Sequence, residues 1–211
     1  MPRLPHEPEP TRWLRKATPG DPLRVLVSAC LTGRGCGVNG TDYGLGGCVD
    51  FLTRLPNVEV VAFCPEEHAL GTPRTTPDLH GGDGFRVLDG EARVLDEHGS
   101  DLTEKMCEGA RAMAELARQA KVELAILVDM SGACGTQVIS EGCRFDTPRR
   151  FQQGVGVAAA ALLRDGVPVV SQRDPRTLDL VFAHLDPSHT SDASLGDYHH
   201  TDWYRATFDK P

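Results

Sequence analysis

Val25-Leu26-Val27-Ser28-Ala29-Cys30 is an apolar run that ends on a thiol. The same grammar recurs in Val58-Glu59-Val60-Val61-Ala62-Phe63-Cys64. It returns in Leu124-Ala125-Ile126-Leu127-Val128, where Cys134 follows after the short loop Asp129-Met130-Ser131-Gly132-Ala133. Short apolar runs rich in β-branched residues read as buried strands. Each thiol therefore stands just past a strand's carboxyl end. If the strands are parallel neighbours, three sulfurs meet on one edge of one sheet, the edge where open α/β sheets bind ligands.

Around these runs the chain alternates between strand and helix patterns. Residues 1–22 carry Pro2, Pro5, Pro8, Pro10, Pro19 and Pro22 and read as an arm without regular structure. A Gly-rich loop follows the first strand, and a helix is expected over 45–55, with Val49, Leu52 and Leu55 on one face. The segment from Cys64 to Arg74 reads as a polar loop, and residues 85–95 as a hairpin turning at Asp89-Gly90. Residues 104–120 are rich in strong helix formers, with Ala110, Met113, Leu116 and Ala117 as the buried stripe. A small-residue helix over 154–163, a strand over 167–170 and a helix over 177–184 complete the pattern. Alternation of this kind implies a mainly parallel sheet. The expected architecture is one α/β domain over 23–185, a Rossmann-like three-layer sandwich of about four strands with a peripheral hairpin. An N-terminal arm (1–22) and a C-terminal tail of unassigned order (186–211) flank it.

Composition narrows the function classes. The 211 residues suffice for one domain with a real core. A net charge of −8 disfavours a nucleic-acid polymer or an anionic membrane as partner, because phosphate binding needs clustered Lys and Arg. No apolar run approaches the ~20 residues that span a bilayer, and the N-terminus lacks the apolar core of a secretory signal. The expected setting is cytoplasmic, where thiols stay reduced. Seven cysteines, an odd number without a CxxC pair, argue against a disulfide framework or a zinc ribbon. Cys30, Cys64 and Cys134 form the strand-end set; Cys36, Cys48, Cys107 and Cys143 are the remainder.

Three thiolates are soft ligands suited to iron–sulfur clusters, zinc or copper(I), and three ligands on a four-position site leave one position open. A buried cysteine is also a common small core residue, so the plain alternative is packing. Glu66, two residues past Cys64, is placed to move protons beside such a site, or is a solvated loop acid. Ser131 is a candidate contact to a substrate carbonyl, or caps a turn. Arg74 and Asp129 are candidate substrate-binding groups, with surface roles as the alternative. Tyr198-His199-His200 is a weak metal signal, since adjacent side chains point apart. Gly154-Val155-Gly156 is better explained by close helix packing than by phosphate binding.

The ordered set of motifs resembles the thiouracil desulfidase family: Val27-Ser28-Ala29-Cys30-Leu31, Cys64-Pro65-Glu66, Leu70-Gly71-Thr72-Pro73-Arg74, and Ser131-Gly132-Ala133-Cys134-Gly135. Gly81-Gly82-Asp83-Gly84, Thr103, Gly109-Ala110 and the glycines at 154 and 156 fall in the same order. The resemblance spans residues 23–172. It implies a 4Fe–4S cluster held by Cys30, Cys64 and Cys134. The iron not held by protein would take sulfur from a small thiolated substrate such as 2-thiouracil, releasing sulfide and leaving C=O in place of C=S. It maps the acid/base carboxylate onto Glu66 and the substrate-contacting serine onto Ser131. The chain departs from the family's usual Ser-Pro-Ser-Cys-Gly, preceded by a Lys, by carrying Asp129-Met130 ahead of Ser131-Gly132-Ala133. It has Cys36-Gly37-Val38-Asn39-Gly40 where the family has Cys-Arg-Tyr-Asp-Gly. Two other readings stand beside the enzyme: a non-catalytic metal- or cluster-binding redox sensor, and a nucleotide-binding α/β protein with core cysteines.

Overall fold

A computed structural model describes residues 14–209. Residues 1–13 of the expected Pro-rich arm (1–22) lie outside them. From residue 14 onward the N-terminal segment is tied to the domain: Leu14 is buried, and the Arg15 guanidinium meets Glu123 at 2.6 Å.

Strand β1 (Leu23–Ser28) is followed by a 3-10 turn, Ala29–Thr32, that carries Cys30. Next come β2 (Val58–Phe63), helix α1 (Pro65–Leu70), β3 (Asp78–His80), α2 (Gly84–Leu88) and β4 (Arg93–Leu95). The long helix α3 (Thr103–Gln119) leads to β5 (Leu124–Leu127), β6 (Val138–Ser140), β7 (Phe151–Gln153), α4 (Val157–Arg164), β8 (Val169–Ser171), α5 (Pro175–Leu185) and α6 (Asp202–Phe208). The main sheet has the order β2-β1-β5-β8 and every pairing is parallel. Successive connections leave β1 in opposite directions, so the topological switch point lies between β1 and β5.

Alternation along each strand feeds two cores. Leu26, Ala125 and Leu127 pack with Met106, Ala110 and Met113 of α3 and the alanines of α4. Val25, Val27, Leu124 and Ile126 pack on the opposite face with Val49, Leu52 and α5 residues Leu178, Val181 and Leu185. This is the three-layer α/β sandwich expected. The strand β2 is an edge and is only half-buried, unlike β1 and β5.

Four local expectations change. Residues 45–55 form two single 3-10 turns, Gly46–Cys48 and Leu52–Arg54, instead of a helix. The apolar spacing marks burial correctly, but Gly44, Gly46 and Gly47 deny the backbone a helical nucleus. The polar loop after Cys64 is helix α1: Pro65 sits at its first position and the Cys64 sulfur accepts the Glu67 N–H at 3.3 Å as an N-cap. The first arm of the expected hairpin is α2, because Asp83 caps it by accepting from the N–H groups of Phe85 and Arg86. Only β4 of that hairpin is a strand, and it pairs with β3, not with 85–88. Between Asp186 and Asp209 the chain packs on the domain, and Tyr198 and Tyr204 bury Val138.

Candidate active site

The parallel sheet places the carboxyl ends of β1, β2 and β5 side by side, and a cavity of about 190 Å³ opens there. Cys30, Cys64 and Cys134 all line it, as do Glu66, Arg74, Asp129 and Ser131. Sequence reasoning left Cys36 among the unassigned thiols. It lines the same cavity and is 1% exposed, and the Cys64 thiol donates to its carbonyl oxygen at 3.8 Å. A fourth sulfur is therefore wedged among the expected three. Its signal was its place six positions after Cys30 in a loop whose glycines let the chain double back. A Cβ on Gly37 would sit 2.6 Å from the Thr41 carbonyl oxygen.

Burial and mutual contact raise three of the cavity's thiols. The hydrogen bond to Cys30, together with burial, pushes Cys36 up to about 11. The hydrogen bond to Cys36 and then burial raise Cys64. Burial raises Cys134 well above the usual thiol range, with the neighbouring Cys64 adding to it and a hydrogen bond to Ser28 opposing it. Ser28 also ties the strands together, its hydroxyl accepting the Val128 N–H at 3.1 Å.

Glu66 is held from two sides. Its Oε2 accepts from Arg74 Nη2 at 2.8 Å and Nε at 3.2 Å; its Oε1 accepts the Ser131 hydroxyl at 2.8 Å. The pair is buried, with side chains 5% and 10% exposed. Arg74 reaches further, donating to the carbonyls of Cys36 (3.0 Å) and Gly71 (3.1 Å), while its own N–H donates to the Val38 carbonyl at 3.0 Å. One guanidinium thus staples the Cys36 loop to α1 and aims Glu66. Arg74 was expected to hold substrate; the hydrogen bonds it makes here go to protein groups.

The Cys134 loop is fixed by its own hydroxyl and by α4. Ser131 Oγ accepts the N–H groups of Ala133 (3.2 Å) and Cys134 (3.0 Å). The Val157 N–H donates to the Gly132 carbonyl, and the Ala158 and Ala159 N–H groups to that of Ala133, which satisfies the open donors of the first turn of α4. Gly156 permits the approach: a Cβ there would lie 2.4 Å from the Ala133 carbonyl. Asp129 faces the cavity but its Oδ1 accepts from the backbone of Thr136, Gln137 and Val138, so one oxygen of this carboxylate organises the loop. Arg144, Gln172 and Arg173 also line the cavity and were not singled out from sequence. Arg144 is paired with Asp78 at 2.8 Å.

Fold and site together define an α/β protein with a thiol-lined cavity over the switch point of a parallel sheet. The sequence profile of the 2-thiouracil desulfurase family matches residues 25–174. The chain belongs to that family. It is 32% identical over 151 residues to the uncharacterised protein YbbK of Bacillus subtilis strain 168, covering 71% of this chain and 96% of the relative. It also resembles a solved structure of a 4Fe–4S-dependent thiouracil desulfidase, TudS. That match has 30% identity, a TM-score of 0.58, and covers 71% of this chain and 90% of the other. Among the described residues no helix is long and apolar enough to cross a membrane.

Proposed function

We propose that the chain is a desulfidase that replaces C=S by C=O in a small thiolated heterocycle of the 2-thiouracil kind, releasing sulfide. Cys30, Cys64 and Cys134 would hold a 4Fe–4S cluster. Their chemistry fits it: soft donors, two of them buried and Cys64 partly so, on three separate strand ends around one cavity. When bound, the cluster supplies an iron without a protein ligand, a soft Lewis acid that prefers sulfur to oxygen. The exchange, C=S plus water to C=O plus hydrogen sulfide, is redox neutral and needs only a proton carrier.

The observation that carries the reading is the Arg74–Glu66–Ser131 array in the wall of the thiol cavity. Arg74 fixes one carboxylate oxygen and leaves the other facing Ser131. Glu66 takes a proton from the attacking water and returns it to the departing sulfur. The Ser131 hydroxyl, held by two backbone N–H groups, keeps that carboxylate oxygen in the cavity wall, where the heterocycle would meet it. The test is anaerobic protein with iron and acid-labile sulfide counted per chain, followed by 2-thiouracil. Catalytic release of sulfide supports the proposal; loaded protein that releases none overturns it for this substrate class.

Cys36 favours a second reading. Four thiols complete a closed site with no position for a guest, the form that structural and sensing centres take. Cys36→Ser decides between them. The enzyme keeps its iron and its turnover without this thiol, whereas a four-thiol sensor loses metal with it.

A further inference from the structure

The C-terminal segment lies beyond the span matched by the family profile, and it brings together groups that the thiol cavity does not use. Asp174 follows β8; Asp197 and His199 come from the C-terminal segment. Their ligand atoms all lie within 4.8 Å of one another. Asp174 Oδ1 accepts the Tyr198 N–H at 3.0 Å, so the two segments are already in register. Asp197 is oriented by Thr177, whose N–H and hydroxyl donate to Oδ1 at 2.9 Å and Oδ2 at 2.7 Å.

One buried side chain behind this group independently points to a ligand. Gln137 is 5% exposed; its amide nitrogen donates to Asp174 Oδ2 at 2.7 Å, and the oxygen on the same carbon has no hydrogen-bond partner. Among the described residues, no Lys or Arg forms an ion pair with Asp129, Asp174 or Asp197. Two partly shielded carboxylates and an imidazole this close together make a set of cation ligands.

We infer that Asp174, Asp197 and His199 form a binding site for one divalent transition-metal cation, with the Gln137 amide oxygen as a further donor. Two carboxylates, an imidazole and an amide oxygen are hard-to-borderline ligands, unlike the thiols of the cavity, so the two sites select different metals. The cation would clamp residues 197–199 onto the end of β8, whatever reaction the cysteine site runs.

The test uses cluster-loaded, anaerobic, chelator-dialysed protein titrated with Mn²⁺, an ion with little affinity for thiolates. Loss of the free Mn²⁺ paramagnetic signal is expected to saturate at one ion per chain. His199→Gln, which leaves both carboxylates in place, is expected to weaken binding at least tenfold with iron and sulfide content unchanged. Asp197→Asn should do the same. Should Asp197→Asn fail to fold, Co²⁺ on the unaltered chain gives a second readout: absorption bands of oxygen and nitrogen ligands without sulfur charge transfer, and a raised melting temperature. Absence of saturable binding by both ions, or equal affinity in the unaltered and His199→Gln proteins, overturns the assignment.

Discussion

At the residue scale, Glu66 and Arg74 divide one task between them. Replacing Glu66 by Gln keeps shape and removes the proton carrier. Turnover of 2-thiouracil should fall by about 10²–10⁴-fold, the usual worth of a positioned acid or base, while iron content stays that of the unaltered protein. Arg74→Ala does something different: it strands a carboxylate that is 10% exposed and frees the Cys36 loop. Breaking one partner of a buried pair costs about 3–5 kcal/mol, so urea unfolding should show a large loss of stability. A neutral result would mean that Glu66 does not depend on this partner. Glu66 and Ser131 were legible in the sequence as neighbours of cysteines, because short spacing from a thiol survives folding. The use of Arg74 was not. It depends on a guanidinium folding back over α1 to a loop at positions 36–38, and no local pattern encodes that contact.

At the scale of elements, the helix Pro65–Leu70 decides whether the site is assembled. It carries Glu66 and is capped by Cys64, and it rests on α3 through Gly109, where an added Cβ would stand 2.3 Å from the Pro65 carbonyl oxygen. Gly109→Ala must therefore push α1 outward. Overpacking of this kind costs about 1–3 kcal/mol, and because α1 moves with Glu66 and Cys64, activity and metal retention should fall together. Intact activity in a folded Gly109→Ala protein would show that α1 need not sit so close. The strands β1, β2 and β5 and the helix α3 were readable because their apolar periods are long and uninterrupted. Helices α1 and α2 were not, since each is barely more than a turn and depends on its cap. Asp83 and Cys64 act as caps only once the neighbouring chain is in place, and a sulfur cap has no compositional signature. The glycine-rich stretch misled in the opposite direction: its apolar residues have helical spacing, yet they reach the core from 3-10 turns.

For the whole molecule, the C-terminal segment is part of the fold and not an appendage. Tyr204 is 6% exposed, packs with Tyr198 over Val138, and its hydroxyl accepts from Gln153 Nε2 at 2.9 Å. Tyr204→Ala should cost about 3 kcal/mol, as large aromatic truncations do; Tyr204→Phe should cost about 1 kcal/mol for the hydrogen bond. In calorimetry the single transition of the whole chain should move. Early melting of residues 186–209 alone, with the main transition unchanged, would contradict that. This segment was illegible in the sequence because its aromatic residues follow no helical or strand period; they fit a surface that only the assembled β6 and β7 provide.

The order β2-β1-β5-β8 has a consequence for how the protein is born. On a ribosome, Cys30, Cys36 and Cys64 emerge long before Cys134, and the strand that aligns the last thiol with the first must slot in beside β1 after both have left the exit tunnel. No early fragment can present the finished sulfur nest. A cluster held by these thiols, as proposed, would be loaded only once β5 lies beside β1.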